Sequence, residues 1–262
     1  MEVKIVDSAF GHTDFSTLQK TNLFKWYRGN EKRRVCFYTD KSLPKVVNGI
    51  DDINVAWLIE PRVIDGLSYK YIEANHHLFD YILTYDKHLL SLGEKFLFYP
   101  HGGCWVNDED KKLHNKTKFC SIIASNKKQS VGHKLRHEVI KVLGSDVDVF
   151  GGENPINNKI VGLKEYKYTI VIENSKQDDY FTEKLIDSFV TGTIPLYWGT
   201  DNIKNYFTNI HTFNTPDELK GIIERLKLIE YDSKNAIVNY DKSLSYIMPE
   251  IYFYNKYKTL FE

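Results

Sequence analysis

Cysteine is scarce in this chain. Cys36, Cys104 and Cys120 are an odd number with no CxxC pair, which fits neither a disulfide framework nor a structural zinc site and points to a reducing, cytoplasmic setting. No run of about 18 apolar residues occurs, so no membrane span is expected. The stretch Met1 to Asp7 is a short apolar run carrying acids, which reads as a first strand and not as a signal peptide. An excess of one charge is also lacking: Lys plus Arg number 35, as do Asp plus Glu. The overall field therefore favours neither nucleic acid nor an anionic membrane as partner, and any basic patch is local. No GxGxxG follows a strand, since Gly102-Gly103 and Gly151-Gly152 are too sparse, which disfavours a Rossmann oxidoreductase. There is no HExxH. His76-His77 and the i, i+4 pair His133/His137 have no third ligand nearby, and neither Asp51-Asp52 nor Asp178-Asp179 stands clearly at a strand end, so no metal is expected.

What is present is an ordinary globular composition, 262 residues with 42% apolar and 27% charged side chains, sufficient for one sizeable core or two compact ones. Short apolar runs alternate with amphipathic stretches. Strand-like segments at Val3 to Val6, Val35 to Tyr38, Val55 to Ile59, Tyr81 to Thr84 and Lys95 to Tyr99 fill the first hundred residues, predicting an α/β sheet. The signal then lapses into His101-Gly102-Gly103 and a polar run from Asn107 to Lys112, and a domain boundary is placed there, giving domains of residues 1–115 and 116–262. The second half predicts strands at Phe119 to Ala124, Val147 to Phe150, Tyr168 to Ile172 and Ile194 to Trp198. Helices are expected from about Gly132 to Leu143, closed by Gly144, and from Thr182 to Val190. Thr215-Pro216-Asp217-Glu218 combines an N-cap, a proline at the first helical position and a capping-box glutamate. The aromatic stretch Tyr246 to Phe261 fits either a return to the first domain or a terminal helix on its own domain.

Chemistry-bearing residues gather where strands end. Ser125-Asn126 through Arg136 offers N–H groups, a hydroxyl, an amide and cations suited to a diphosphate, although a solvated basic helix face has the same composition. Lys184 falls at the positive end of its helix, where a cation is explained most naturally by an anion opposite it. The plainer alternatives are a favourable dipole partner for Glu183 and a packing residue for Tyr180. Thr193 to Gly199 reads as core. Glu60 ends an apolar strand where burial beside Trp57 and Pro61 would raise a carboxylic acid toward a base's working range; the plainer alternative is a strand-terminal acid paired to Arg62.

Three blocks, Ile172-Glu173-Asn174-Ser175, Tyr180-Phe181-Thr182-Glu183-Lys184 and Ile194 to Gly199, resemble the signature of the α-1,3/α-1,4-fucosyltransferases (glycosyltransferase family 10), written in family form as FENS, DYxTEK and VPVxxG. Ser125-Asn126 with Arg136, and Val147 to Gly151, are similar to its SN…R and VDVYG elements. More thinly, Trp57 to Pro61, Phe79 to Tyr85 and Tyr99 to Gly102 are similar to its W…ESP, FNWTLSY and VPYG stretches, so that about residues 55 to 210 are covered. Pro61 directly follows Glu60 where the family has an intervening Ser, and Phe150 replaces Tyr. The absence of an animal-type anchor and stem resembles compact bacterial or viral members.

The resemblance implies a GT-B fold, two Rossmann-like domains facing each other across a cleft, the first binding acceptor and the second the donor. It further implies an inverting transfer, with L-fucose moving from GDP-fucose as co-substrate to a hydroxyl of a glycan acceptor. Glu60 would act as base and Arg136 and Lys184 as a cationic clamp in place of a divalent metal, while Ser125, Asn126, Asn174, Tyr180 and Glu183 complete the donor site. The alternatives are another GDP-linked hexose or deoxyhexose, and a catalytically silent nucleotide-sugar or glycan-binding protein.

Overall fold

A computed structural model describes residues 1–7 and 14–262. The chain forms two compact units: Met1–His101 with Asp178–Tyr180 and Met248–Glu262, and Gly102–Gln177 with Phe181–Ile247. The polar run from Asn107 to Lys112 thus lies within the second unit, and the C-terminal aromatic stretch from Met248 onward belongs to the first.

The first unit contains β1 (Glu2–Val6), β2 (Lys25–Tyr27), β3 (Val35–Thr39), β4 (Ile53–Trp57), α1 (Arg62–Asn75), β5 (Tyr81–Thr84), α2 (Lys87–Leu90) and β6 (Phe96–Phe98). Its six strands are ordered β2-β1-β3-β4-β5-β6, every pairing parallel. Parallel strands are covered on both faces, which is why β3, Val-Cys-Phe-Tyr-Thr, is buried throughout. On one face Trp57 meets Tyr99 edge-on and Phe253 at 4.8 Å between ring centroids. Phe253 and Phe261 come from the C-terminal stretch, whose aromatic content is therefore core material of this unit.

The second unit contains β7 (Lys118–Ile123), α3 (Val131–Leu143), β8 (Asp148–Phe150), β9 (Tyr166–Ile172), α4 (Glu183–Phe189), β10 (Ile194–Trp198), β11 (His211–Thr212), α5 (Pro216–Leu226) and α6 (Ser233–Ser243), while α7 (Pro249–Lys256) belongs to the first. Local chemistry sets the helix ends as expected. Gly144 closes α3 with φ +53°, and the Thr215 hydroxyl accepts the Glu218 N–H at α5. The order β11-β10-β9-β7-β8 carries the chain from β7 to β8 on one side and to β9 on the other. The crevice at the carboxyl ends of β7 and β9 is accordingly this sheet's topological switch point, the preferred place for a ligand in an open parallel sheet.

Cys36, Cys104 and Cys120 are all buried free thiols, and burial pushes Cys36 up to about 12, so they are small core residues, not nucleophiles. No helix among the described residues is long and apolar enough to cross a membrane.

Candidate functional site

The switch point of the second sheet is built around Glu173, the residue after β9. It is fully buried. One carboxylate oxygen accepts the Thr182 N–H at 2.8 Å and the other accepts the Thr182 hydroxyl, also at 2.8 Å. Thr182 is at the same time the N-cap of α4, so this carboxylate ties the end of a strand to the start of the helix that follows it.

Lys184 shares the same group. Its Nζ donates to Thr182 Oγ1 at 2.9 Å and lies 3.5 Å from Glu173 Oε2 and 3.6 Å from Glu183 Oε1. A cation at this helix end, taken alone, is explained most naturally by an external anion. The structure answers part of that charge with two carboxylates of its own, so the placement of Lys184 does not by itself demand a phosphate.

Arg136 reaches the same strand end from α3. Its guanidinium donates twice to the Ile172 carbonyl, through Nε at 3.0 Å and through Nη2, and Nη2 also donates to Asn174 Oδ1 at 3.1 Å. Arg136 and Asn174 are thus tied to each other at this strand end. The start of α3 presses so closely on this strand end that a Cβ on Gly132 would lie 1.7 Å from the Glu173 carbonyl oxygen. Gly132→Ala is therefore expected to cost about 1–3 kcal/mol of stability through overpacking. Urea denaturation checks this, and an unchanged midpoint would show that the helix can retreat without loss.

His133 is committed to this helix end. Its Nδ1 accepts the Ser130 N–H while its own N–H goes to the Ser130 hydroxyl. Burial and the nearby Arg136 push it down to about 4, keeping the ring neutral. His137 contacts the Lys127 carbonyl at 3.2 Å. Among the described residues, no group of three or more His, Cys, Asp or Glu converges in a way that could hold a metal ion.

Together these elements enclose a cavity of about 180 Å³, floored by β9 and lined by Ser125, Arg136, Lys159, Glu183, Lys184 and Asp187. Lys159 and Asp187 were not anticipated. Lys159 Nζ lies 2.8 Å from Asp187 Oδ2 and 3.3 Å from Glu183 Oε1, and Asp187 also accepts the Trp105 N–H at 2.7 Å. Burial disfavours the Lys159 charge, but Asp187 and Glu183 outweigh it and hold the ammonium above its ordinary value. The cavity thus presents three cations and a hydroxyl, with two acids that anchor one of the cations.

Two expected donor residues stand apart. Asn126 is exposed and lines an adjoining hollow with Gly151 and Gly152, Ser125 being common to both spaces. Tyr180 belongs to the first unit, where its buried ring lies 5.2 Å from Tyr85 and 6.1 Å from His101.

In the first unit, Glu60 is half-buried in the loop after β4. Its N–H donates to Asp40 Oδ2 at 3.3 Å and its carbonyl accepts the Tyr69 hydroxyl at 3.0 Å. Arg62 is bound by Asp86 at 2.7 Å and by Glu73 at 2.8 Å, and its guanidinium stacks 4.5 Å over the Tyr69 ring. Trp57 is turned into the core.

Two all-parallel α/β units, with cations and acids collected at the carboxyl ends of the second unit's strands, have the fold class of the GT-B proteins. A solved α1,3-fucosyltransferase has the same fold, with a TM-score of 0.53 and 20% identity over 83% of this chain and 72% of that one. An α1,3-fucosyltransferase solved with GDP-fucose gives 0.52 and 20% over 91% and 81%. Residues 113–240 match the model of the glycosyltransferase family 10 (fucosyltransferase) C-terminal domain. It is 31% identical over 221 residues to an α-(1,3)-fucosyltransferase of Helicobacter pylori, covering 78% of this chain and 44% of that protein. It is 26% identical over 173 residues to the 4-galactosyl-N-acetylglucosaminide 3-α-L-fucosyltransferase 9 of Bos taurus, covering 62% and 45%. The chain therefore spans less than half the length of these two curated relatives.

Proposed function

We propose that this protein transfers L-fucose from GDP-fucose to a hydroxyl of a glycan acceptor with inversion at the anomeric carbon. The observation that carries the reading is the cavity at the β7/β9 switch point, where Arg136, Lys159 and Lys184 surround a space within the segment matched by the family model. In the reaction, the acceptor oxygen bonds to the anomeric carbon as the bond from that carbon to the diphosphate oxygen breaks. The hydroxyl proton passes to Glu60, and GDP leaves with the electron pair. Arg136 and Lys184 neutralise the charge developing on the diphosphate, a task suited to fixed cations in a water-poor pocket. Asn174 holds the Arg136 fork in register, while Glu183, Ser125, Asn126 and Tyr180 contact the ribose, phosphates or sugar.

The test is a donor screen by thermal protection with GDP-fucose, GDP-mannose and UDP-sugars, followed by a transfer assay with the best donor. GDP-fucose is expected to protect most, by about 2.7 kcal/mol at a hundred times its Kd. Equal protection by UDP-sugars, or none by any GDP-sugar, would remove GDP-fucose as the donor.

A further inference from the structure

Asp40 is the residue after β3, one strand from β4 in the sheet, and its side chain is buried with 4% of the residue exposed. It holds φ at +38°, in the left-handed region where a non-glycine residue is strained. That strain aims the carboxylate at the neighbouring loop. Oδ1 accepts the Ile59 N–H at 2.8 Å and Oδ2 the Glu60 N–H at 3.3 Å. On the other side of the same residue, the Tyr69 hydroxyl holds the Glu60 carbonyl, and a second buried phenol, Tyr85, stands 3.2 Å from Tyr69. The main chain of Glu60 is therefore gripped at both its N–H and its C=O, each time by a buried side chain of the first unit.

We propose that Asp40 is a positioning residue for Glu60: its ionised carboxylate fixes the main chain of the Ile59–Glu60 loop, and thereby the place from which Glu60 takes the acceptor proton. The inference rests on the role of Glu60 proposed above. The charged form is held against the interest of stability. Burial pushes Asp40 up to about 7, the backbone N–H groups oppose this, and the charges of Glu60 and of Asp65 on α1 add to it. Tyr69 and Tyr85 also face it. Because the folded value is raised, the contribution of Asp40 to stability is present at low pH and is lost as pH rises through about 7. A carboxylate kept for stability alone would show the opposite sign. Above that pH both oxygens accept; below it one carries a proton and the loop loses a hydrogen bond.

The experiment compares the wild type with Asp40→Asn in steady-state transfer from pH 5.5 to 9, together with GDP affinity by calorimetry. Asp40→Asn replaces one acceptor with an amide that faces an N–H. We expect kcat to fall about a hundredfold, GDP affinity to stay unchanged, and the acid limb of the kcat profile near pH 7 to disappear. Wild-type kcat with an unaltered limb in the variant overturns the role of Asp40. If Asp40→Asn does not fold, the wild-type amide resonances decide: the Ile59 and Glu60 protons should shift together with one apparent pKa near 7, and amides that do not titrate overturn the proposal. A wild type inactive with every GDP-sugar sinks the proposed activity itself, an outcome distinct from an active wild type with an unaffected variant.

Discussion

Glu60→Gln is expected to lower the transfer rate by about 10²- to 10⁴-fold, the usual contribution of a positioned base, while leaving GDP affinity as in the wild type. The reasoning is geometric. The contacts that set the Glu60 main chain, its N–H donating to Asp40 and its C=O accepting from Tyr69, do not involve the carboxylate, so the isosteric amide keeps both of them while losing the ability to take a proton. The residues proposed to hold GDP lie mainly in the other unit, so calorimetry with GDP should register nothing. A variant that still turns over at the wild-type rate would retire Glu60 as the base.

The second large effect is expected at Glu173→Ala, a residue with no assigned part in chemistry. Its two carboxylate oxygens satisfy the Thr182 N–H, the Thr182 hydroxyl and part of the Lys184 charge. Truncation leaves these donors facing a space the alanine cannot fill. With an unsatisfied buried donor costing about 1–3 kcal/mol and an orphaned partner of a buried ion pair about 3–5 kcal/mol, and with Lys184 still partly solvated, a loss of about 3 kcal/mol is expected in urea denaturation. GDP affinity should weaken with it, because Thr182 and Lys184 lose the group that orients them. A variant that keeps both stability and affinity would show that α4 is positioned by its apolar face alone.

The contrast between these two acids shows what a linear reading can reach. Glu60 stands at the end of an apolar strand, and a carboxylate there is a visible signal. Glu173 also ends such a strand, but its role depends on Thr182, nine residues away, across a loop whose path no periodicity predicts. Lys159 and Asp187 are 28 residues apart and look like surface charges until β9 and α4 bring them to one cavity wall. Asp40 carries a signal of its own: a lone acid following the uniformly buried strand Val35–Thr39. Lys184 shows the converse. Its placement looked anomalous because the sequence displayed the helix end without the two carboxylates that face it.

Some features were determined by the amino-acid sequence alone, because their causes are local. The bounds of α3 and α5 follow from Ser130, Gly144, Thr215 and Pro216 acting on adjacent backbone groups, the parallel strands follow from runs of buried residues, and the resemblance to the fucosyltransferases follows from three motifs at fixed spacing. Only the tertiary structure decided which charges meet. Parallel strands joined by loops and crossovers place side chains from nine to 28 residues apart within hydrogen-bond distance, and the energy of a buried charge is set by those partners. The grip of Asp40 on Glu60, the Glu173 clasp and the anchoring of Lys159 therefore became visible only once the strands were ordered.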